Sequence, residues 1–151
     1  MADIFSIVGS SLAAQNARIG VIASNLANAS SVAMPGQAPY RARELVFQAA
    51  PVGAAAAQEA AFLDGGAPAD AGGGLGVGVV GTVLSNAPPV RNYDPASPYA
   101  DASGYVTGSN VSQVGQMVDL INSSNSYAAS VAVLQQASRV DQQMLNSFQV
   151  S

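Results

Sequence analysis

Histidine, lysine, cysteine and tryptophan are all absent from this chain, and its five cationic side chains are all arginine. Without cysteine there are no disulfides, no thiolate nucleophile and no thiolate metal ligands; without histidine the commonest general base and the commonest nitrogen ligand go too. Catalysis and metal binding are therefore mostly excluded by inventory, and neither an enzymatic activity nor a cofactor is expected. Charge is scarce as well. Only 9% of the residues are charged, against about 25% in an ordinary soluble domain. The net charge of −4 speaks against a nucleic acid or an anionic membrane as partner. No stretch approaches the roughly 18 to 20 continuous apolar residues of a membrane-spanning helix. Asp3, Ser6, Ser10, Ser11, Gln15 and Asn16 interrupt the apolar character of the N-terminus, so no cleaved secretory signal is expected. At 151 residues the length suits one domain with a modest core.

Helical periodicity at both ends is what the chain does have. No proline occurs between residues 110 and 148, where apolar or small residues recur at Met117, Ile121, Ser124, Ala128, Val131, Leu134, Ser138, Leu145 and Phe148. The steps are three, four or seven, and Asp141 is the one charged interruption of the stripe. Asn110, with Gln113 three positions on, is read as the capping box that starts this helix. It would then run for about 36 residues, roughly 54 Å. Its other face is Ser, Asn and Gln rather than the charged i,i+4 pairs of a helix that meets water. Such a helix is expected to be covered on nearly every side, with Tyr127 beside the seam as a packing residue. At the other end Ile4, Val8, Leu12, Gln15, Ile19, Ile22 and Leu26 form a heptad seam whose one polar member is Gln15. Asp3 caps its start, and Asn28 is expected to close it in the left-handed conformation.

Between the helices, Met34, Pro35, Gly36 and Pro39 mark a turn-rich loop. Strands are expected at residues 40–49 and 77–84 and at the start of a third over residues 88–93. Residues from about 50 to 76 are rich in Ala, Gly and Pro and are expected to form a flexible surface loop. A block dense in turn formers runs from Tyr93 to Tyr105 and leads into Val106 and Thr107. The resulting expectation is a mainly α chain. Residues 1–30 form an N-terminal helix, 31–109 a loop and a small β-rich insert, and 110–151 a C-terminal helix paired with the first as a coiled coil.

Four local patterns suggest other chemistry. Gly76-Val77-Gly78-Val79-Val80-Gly81 has the spacing of a dinucleotide-binding fingerprint. That mechanism needs a helix N-terminus immediately afterwards to hold the pyrophosphate. Thr82, Val83 and Leu84 continue a strand instead, so a loop running into a strand is expected. Asp94 and Asp101 would need further converging oxygens to hold a hard cation, or a cleft to act as an acid pair; local Asx turns account for them. Arg41, Arg43 and Glu44 form a charge cluster that is either a solvated strand face or one side of an intersubunit ion pair. Asn28-Ala29-Ser30 and Asn110-Val111-Ser112 fit the glycosylation acceptor pattern, which means little without a secretory signal.

The run from Ser11-Leu12-Ala13-Ala14-Gln15 through Ala23-Ser24-Asn25-Leu26-Ala27-Asn28-Ala29 resembles the N-terminal signature of the bacterial flagellar axial proteins, the rod and hook group. Tyr93-Asp94-Pro95, Pro98, Ala100-Asp101, Gly104-Tyr105-Val106, Asn110-Val111 and Met117-Val118 are similar to the proximal rod members of that group. Gln116 stands where that group often has Glu, Asn125 and Ser126 where it often has Arg before the tyrosine, and Ser130 where Asn is expected. The resemblance implies terminal helices packed as a coiled coil, in helical array with copies of the chain and with other rod proteins. It also implies contact with the rotor ring or export gate at the rod base, and export through the flagellar type III apparatus without a cleaved signal. The role would be structural, linking rotor to distal rod and hook and transmitting torque in the basal body, with no direct lipid binding. Interface positions are then expected at Leu12, Ile19, Ile22 and Leu26, and at Met117, Ile121, Tyr127, Val131, Leu134, Leu145 and Phe148. A freestanding coiled-coil adaptor or secreted translocator is the competing expectation. For a translocator, the basic residues that a membrane-seeking polar face needs are missing.

Overall fold

The computed structural model of the chain describes residues 2–51 and 75–149. Two long helices bracket two small sheets, in the order α1 (Ala2–Ala27), β1 (Arg43–Pro51), β2 (Leu75–Leu84), β3 (Arg91–Tyr93), β4 (Tyr105–Thr107) and α2 (Gln113–Gln149). β1 pairs with β2, and β3 pairs antiparallel with β4 in the register Arg91 to Thr107, Asn92 to Val106 and Tyr93 to Tyr105. Most of the loop expected at about residues 50–76 lies outside the described residues. The Gly76–Gly81 stretch falls within β2, so no helix N-terminus follows it and the phosphate-cradling geometry is missing. No described helix is long and apolar enough to cross a membrane.

Helix α1 runs 26 residues without proline and stops at Ala27. Its last carbonyls are not closed by a left-handed Asn28, since no described residue other than glycine has a positive φ. The Asn28 side chain serves them instead, its Nδ2 donating to the Ser24 carbonyl at 2.8 Å. Ser31 Oγ then donates to the Asn28 carbonyl at 2.7 Å. A side-chain amide can thus satisfy a helix end while its own backbone stays in the ordinary region.

The start of α2 also differs from the capping-box expectation. Ser112 is the cap: its Oγ accepts the Gly115 N–H at 3.3 Å and its carbonyl accepts the Gln116 N–H at 2.9 Å. Asn110 is drawn away by the strand segments. Its Oδ1 accepts the Ala42 N–H at 2.6 Å and its Nδ2 donates to the Ala87 carbonyl at 2.8 Å. Ala42 therefore gives its N–H to the Asn110 side chain, while its carbonyl accepts the Ser85 N–H at 2.8 Å, and β1 begins only at Arg43.

The chain divides into two compact units, one of Met1–Asn16, Phe47–Val80 and Asn125–Ser151, the other of Ala17–Val46 and Gly81–Ser124. In the first unit the Val77 N–H donates to Ser10 Oγ at 3.1 Å, fastening β2 to α1. The second unit holds a small core of Ile22, Ala42, Val106 and Val111 that shares its interior with Asn25, Ser109 and Ser123. A core this thin supplies little hydrophobic stabilisation, so the polar groups inside it must all be satisfied.

Candidate functional site

Asn25 is the side chain around which the second unit is tied. It is 2% exposed, and its carboxamide uses all four of its hydrogen-bonding positions. Nδ2 donates to the Arg43 carbonyl at 2.8 Å and to Gln116 Oε1 at 2.9 Å. Oδ1 accepts the Arg43 N–H at 2.9 Å and the Tyr40 hydroxyl at 3.1 Å. The carboxamide thus bonds both backbone groups of Arg43, as a neighbouring strand would, and joins α1, β1 and the first turn of α2. A carboxylate at position 116 would offer Nδ2 the same kind of acceptor.

Around this centre further bonds stitch loop to loop. Ser109 Oγ donates to the Ala29 carbonyl at 2.8 Å, the Ser109 N–H to the Ser31 carbonyl at 3.1 Å, and the Ala33 N–H to the Thr107 carbonyl at 2.9 Å. Among the described residues Arg41 bonds neutral acceptors rather than a carboxylate. Its Nε and Nη2 both reach the Ser85 carbonyl, at 3.0 and 2.8 Å, and Nη2 also reaches Asn86 Oδ1 at 2.7 Å. Arg43 lies 6.0 Å from the Tyr40 ring centroid. Beside the junction, Arg18, Arg43, Glu44 and Asp119 line an open cleft of about 400 Å3. No group of three or more acidic side chains able to hold a metal ion occurs among the described residues.

The turn block folds on Asp101. Its Oδ1 accepts the Ser103 N–H at 2.8 Å and the Tyr105 N–H at 3.0 Å, while Oδ2 meets Arg91 Nη2 at 2.7 Å. The Arg91 guanidinium also lies 4.9 Å from the centroid of the Tyr105 ring, which meets Tyr93 edge-on at 5.2 Å. This is the Asx turn expected of Asp101, and its carboxylate is committed to its own turn and to Arg91. The Tyr105 N–H, with help from Ser103 and Arg91, holds the Asp101 carboxyl below its ordinary 3.8. A depressed pKa means the folded state favours the carboxylate, so this contribution is complete above the ordinary value and is lost as pH falls through the folded one. Acid titration of the unfolding midpoint should therefore show a loss below about pH 4 that Asp101→Asn lacks. An identical acid limb in both proteins would refute it.

Gly104 closes the same turn at φ +79°, and a Cβ there would stand 3.0 Å from Tyr93 Cε2 and 3.3 Å from Pro95 Cβ. Gly104→Ala should cost about 1–2 kcal/mol from the left-handed backbone alone, read as a lower denaturation midpoint. An unchanged midpoint would show that the turn relaxes freely.

The positions expected at an interface fall into two sets. On α1, Ile22 is buried and Leu12, Ile19 and Leu26 are half-buried. On α2, Val131 and Leu134 are half-buried, whereas Met117, Ile121, Tyr127 and Leu145 are exposed, Ile121 by 60%. The Phe148 side chain lies outside the described residues. The stripe that the chain itself shields on α2 is Leu120, Ser123, Ser130, Leu134, Ala137 and Asp141. Opposite it, Val114, Met117, Val118 and Ile121 are all exposed, and their spacing confines them to an arc of about 100°. Sequence periodicity did not point to Tyr40, Asn110 or Gln116 as junction residues, because each finds its partner through the tertiary fold.

A family model described as "Flagellar basal body rod FlgEFG protein C-terminal" matches residues 102–147, the end of the turn block and most of α2. The flagellar basal-body rod protein FlgC of Salmonella typhimurium strain LT2 is 46% identical over 132 residues, covering 87% of this chain and 86% of that protein. FlgC of Escherichia coli O6:H1 is 45% identical over the same shares of the two chains. FlgC of Yersinia enterocolitica is 42% identical, again over 87% and 86%.

Proposed function

The chain belongs to the FlgC family of flagellar basal-body rod proteins, a structural subunit of that rod, and from this premise we propose how it assembles and carries load. The observation that supports the reading best is the exposed stripe Val114, Met117, Val118 and Ile121, set on a helix whose first turn is fastened by Gln116 to the Asn25 junction. Long helices with one apolar seam and few charged pairs are marginal in water on their own. Neighbouring subunits that bury the seam supply the missing stabilisation, so folding of the termini and assembly are one process.

In this account α1 and α2 pair as a coiled coil. Leu12, Ile19, Ile22 and Leu26 face the pair, with Val131 and Leu134 on the other helix, while Met117, Ile121, Tyr127, Leu145 and Phe148 meet neighbours. The subunit sits in the proximal rod, between the rotor ring or export gate and the distal rod, alongside copies of itself and related rod proteins. It leaves the cytoplasm through the flagellar type III apparatus with its N-terminus uncleaved. Torque passes through the Asn25 junction, whose directional hydrogen bonds resist sliding where apolar packing by itself would give.

Limited proteolysis of the purified soluble chain, with mass spectrometry of the fragments, tests this reading. The part of α1 up to residue 16 and the part of α2 from residue 125 should be trimmed quickly while a piece near residues 17–124, which holds the Asn25 junction, persists, and the intact chain should be recovered with isolated basal bodies. Protection of residues 110–148 in a dilute, uniform oligomer would instead favour a freestanding coiled-coil protein.

A further inference from the structure

Within the unit that contains the start of α1, one polar atom stands out. Gln15 Oε1 is buried and accepts no hydrogen bond among the described residues. Asn25 on the same helix shows the contrast, since its carboxamide is satisfied at every position. Gln15 occupies the heptad seam of α1, with half-buried Leu12 three residues before it and half-buried Ile19 four residues after. Its layer is therefore flanked by apolar ones.

An apolar side chain of the same length, such as methionine, would fit this position with no orphaned acceptor and no desolvated amide. The glutamine thus lowers the stability of the single chain. The best-attested return for a polar residue at one seam position is specificity: the intended neighbour brings a donor to Oε1, whereas a misaligned or mispartnered helix leaves it against an apolar layer. A subunit that assembles among similar helices has several such arrangements to avoid.

We propose that Gln15 is a specificity-determining residue of assembly, a polar seam position that gives up stability in the free chain to fix the register and partner of α1. This rests on the coiled-coil pairing set out above. Two substitutions separate polarity from shape. Gln15→Met removes the amide at constant length, and Gln15→Asn keeps an amide.

The full-length chains are compared in solution by far-UV circular dichroism and light scattering. They are then co-expressed with the wild type in flagellated cells, and the ratio in isolated basal bodies is counted by mass spectrometry. Gln15→Met should be more helical than wild type and form a several-fold larger share of soluble oligomers of mixed size. Its share in basal bodies should fall several-fold below its share in the cell, while Gln15→Asn stays close to wild type in both arms. The proposal is overturned if Gln15→Met is less helical than wild type, or if it enters basal bodies as well as wild type with an unchanged oligomer distribution. Absence of the wild-type chain from basal bodies would defeat the assembly reading instead, and the solution arm would still decide the role of Gln15.

Discussion

Exchanging Asn25 for Asp is expected to cost the fold on the order of 3–5 kcal/mol at neutral pH, although only an amide nitrogen becomes an oxygen. At 2% exposure the new carboxylate has no water to turn to. The Arg43 carbonyl and Gln116 Oε1, which now accept from Nδ2 at 2.8 and 2.9 Å, would both face an acceptor. Only the Arg43 N–H and the Tyr40 hydroxyl would still suit the charge. Folded domains are stable by about 5–15 kcal/mol, so the variant should be mostly or partly unfolded. The pH dependence carries its own sign. Burial raises the carboxyl pKa in the folded variant, so the penalty should shrink as pH falls through that raised value and the neutral acid regains one donor. Gln116→Glu is the internal control, because it keeps the acceptor and should leave the urea midpoint close to wild type. Equal urea midpoints for Asn25→Asp and wild type at pH 7 would mean that the junction does not depend on the carboxamide donors.

Ile121→Asp is expected to do the opposite, leaving the free chain alone and abolishing assembly. Ile121 is 60% exposed, and surface substitutions of this kind usually change stability by within about 0.5 kcal/mol. On the assembly proposed above, the same position is buried against a neighbour. A carboxylate trapped there without a partner costs several kcal/mol at every contact, or a loss of affinity of about a hundredfold or more. The variant should unfold with the wild-type midpoint, fail to restore swimming in cells that lack the native subunit, and be missing from isolated basal bodies. Full motility with this variant would remove Ile121, and with it the exposed stripe of α2, from the assembly surface.

Several features were legible before any coordinates. Sustained three-and-four periodicity without proline specifies long helices at both ends, and Gly and Pro clusters place the irregular segments between them. The spacing of Asp101 to Gly104 foretold a turn. Other features could not be read from local pattern. Asn110 and Ser112 are both good caps by composition; which of them caps α2 depends on the Ala42 N–H, 68 residues from Asn110 in sequence, drawing the asparagine away. Likewise Asn25 looks like one polar residue near a helix end until Gln116, 91 positions on, arrives beside it.

The orientation of α2 shows the same division. Apolar side chains occur on more than one side of this helix, so periodicity specifies that it is a helix and leaves open which stripe turns inward. Folding shields the stripe through Leu120, Ser123 and Leu134 and leaves Met117 and Ile121 outside. Helix length is a property of composition and spacing along the chain, and the sequence by itself determined it. The choice of cap, the satisfied carboxamide and the outward apolar face depend on which distant groups meet, so only the tertiary structure decided them.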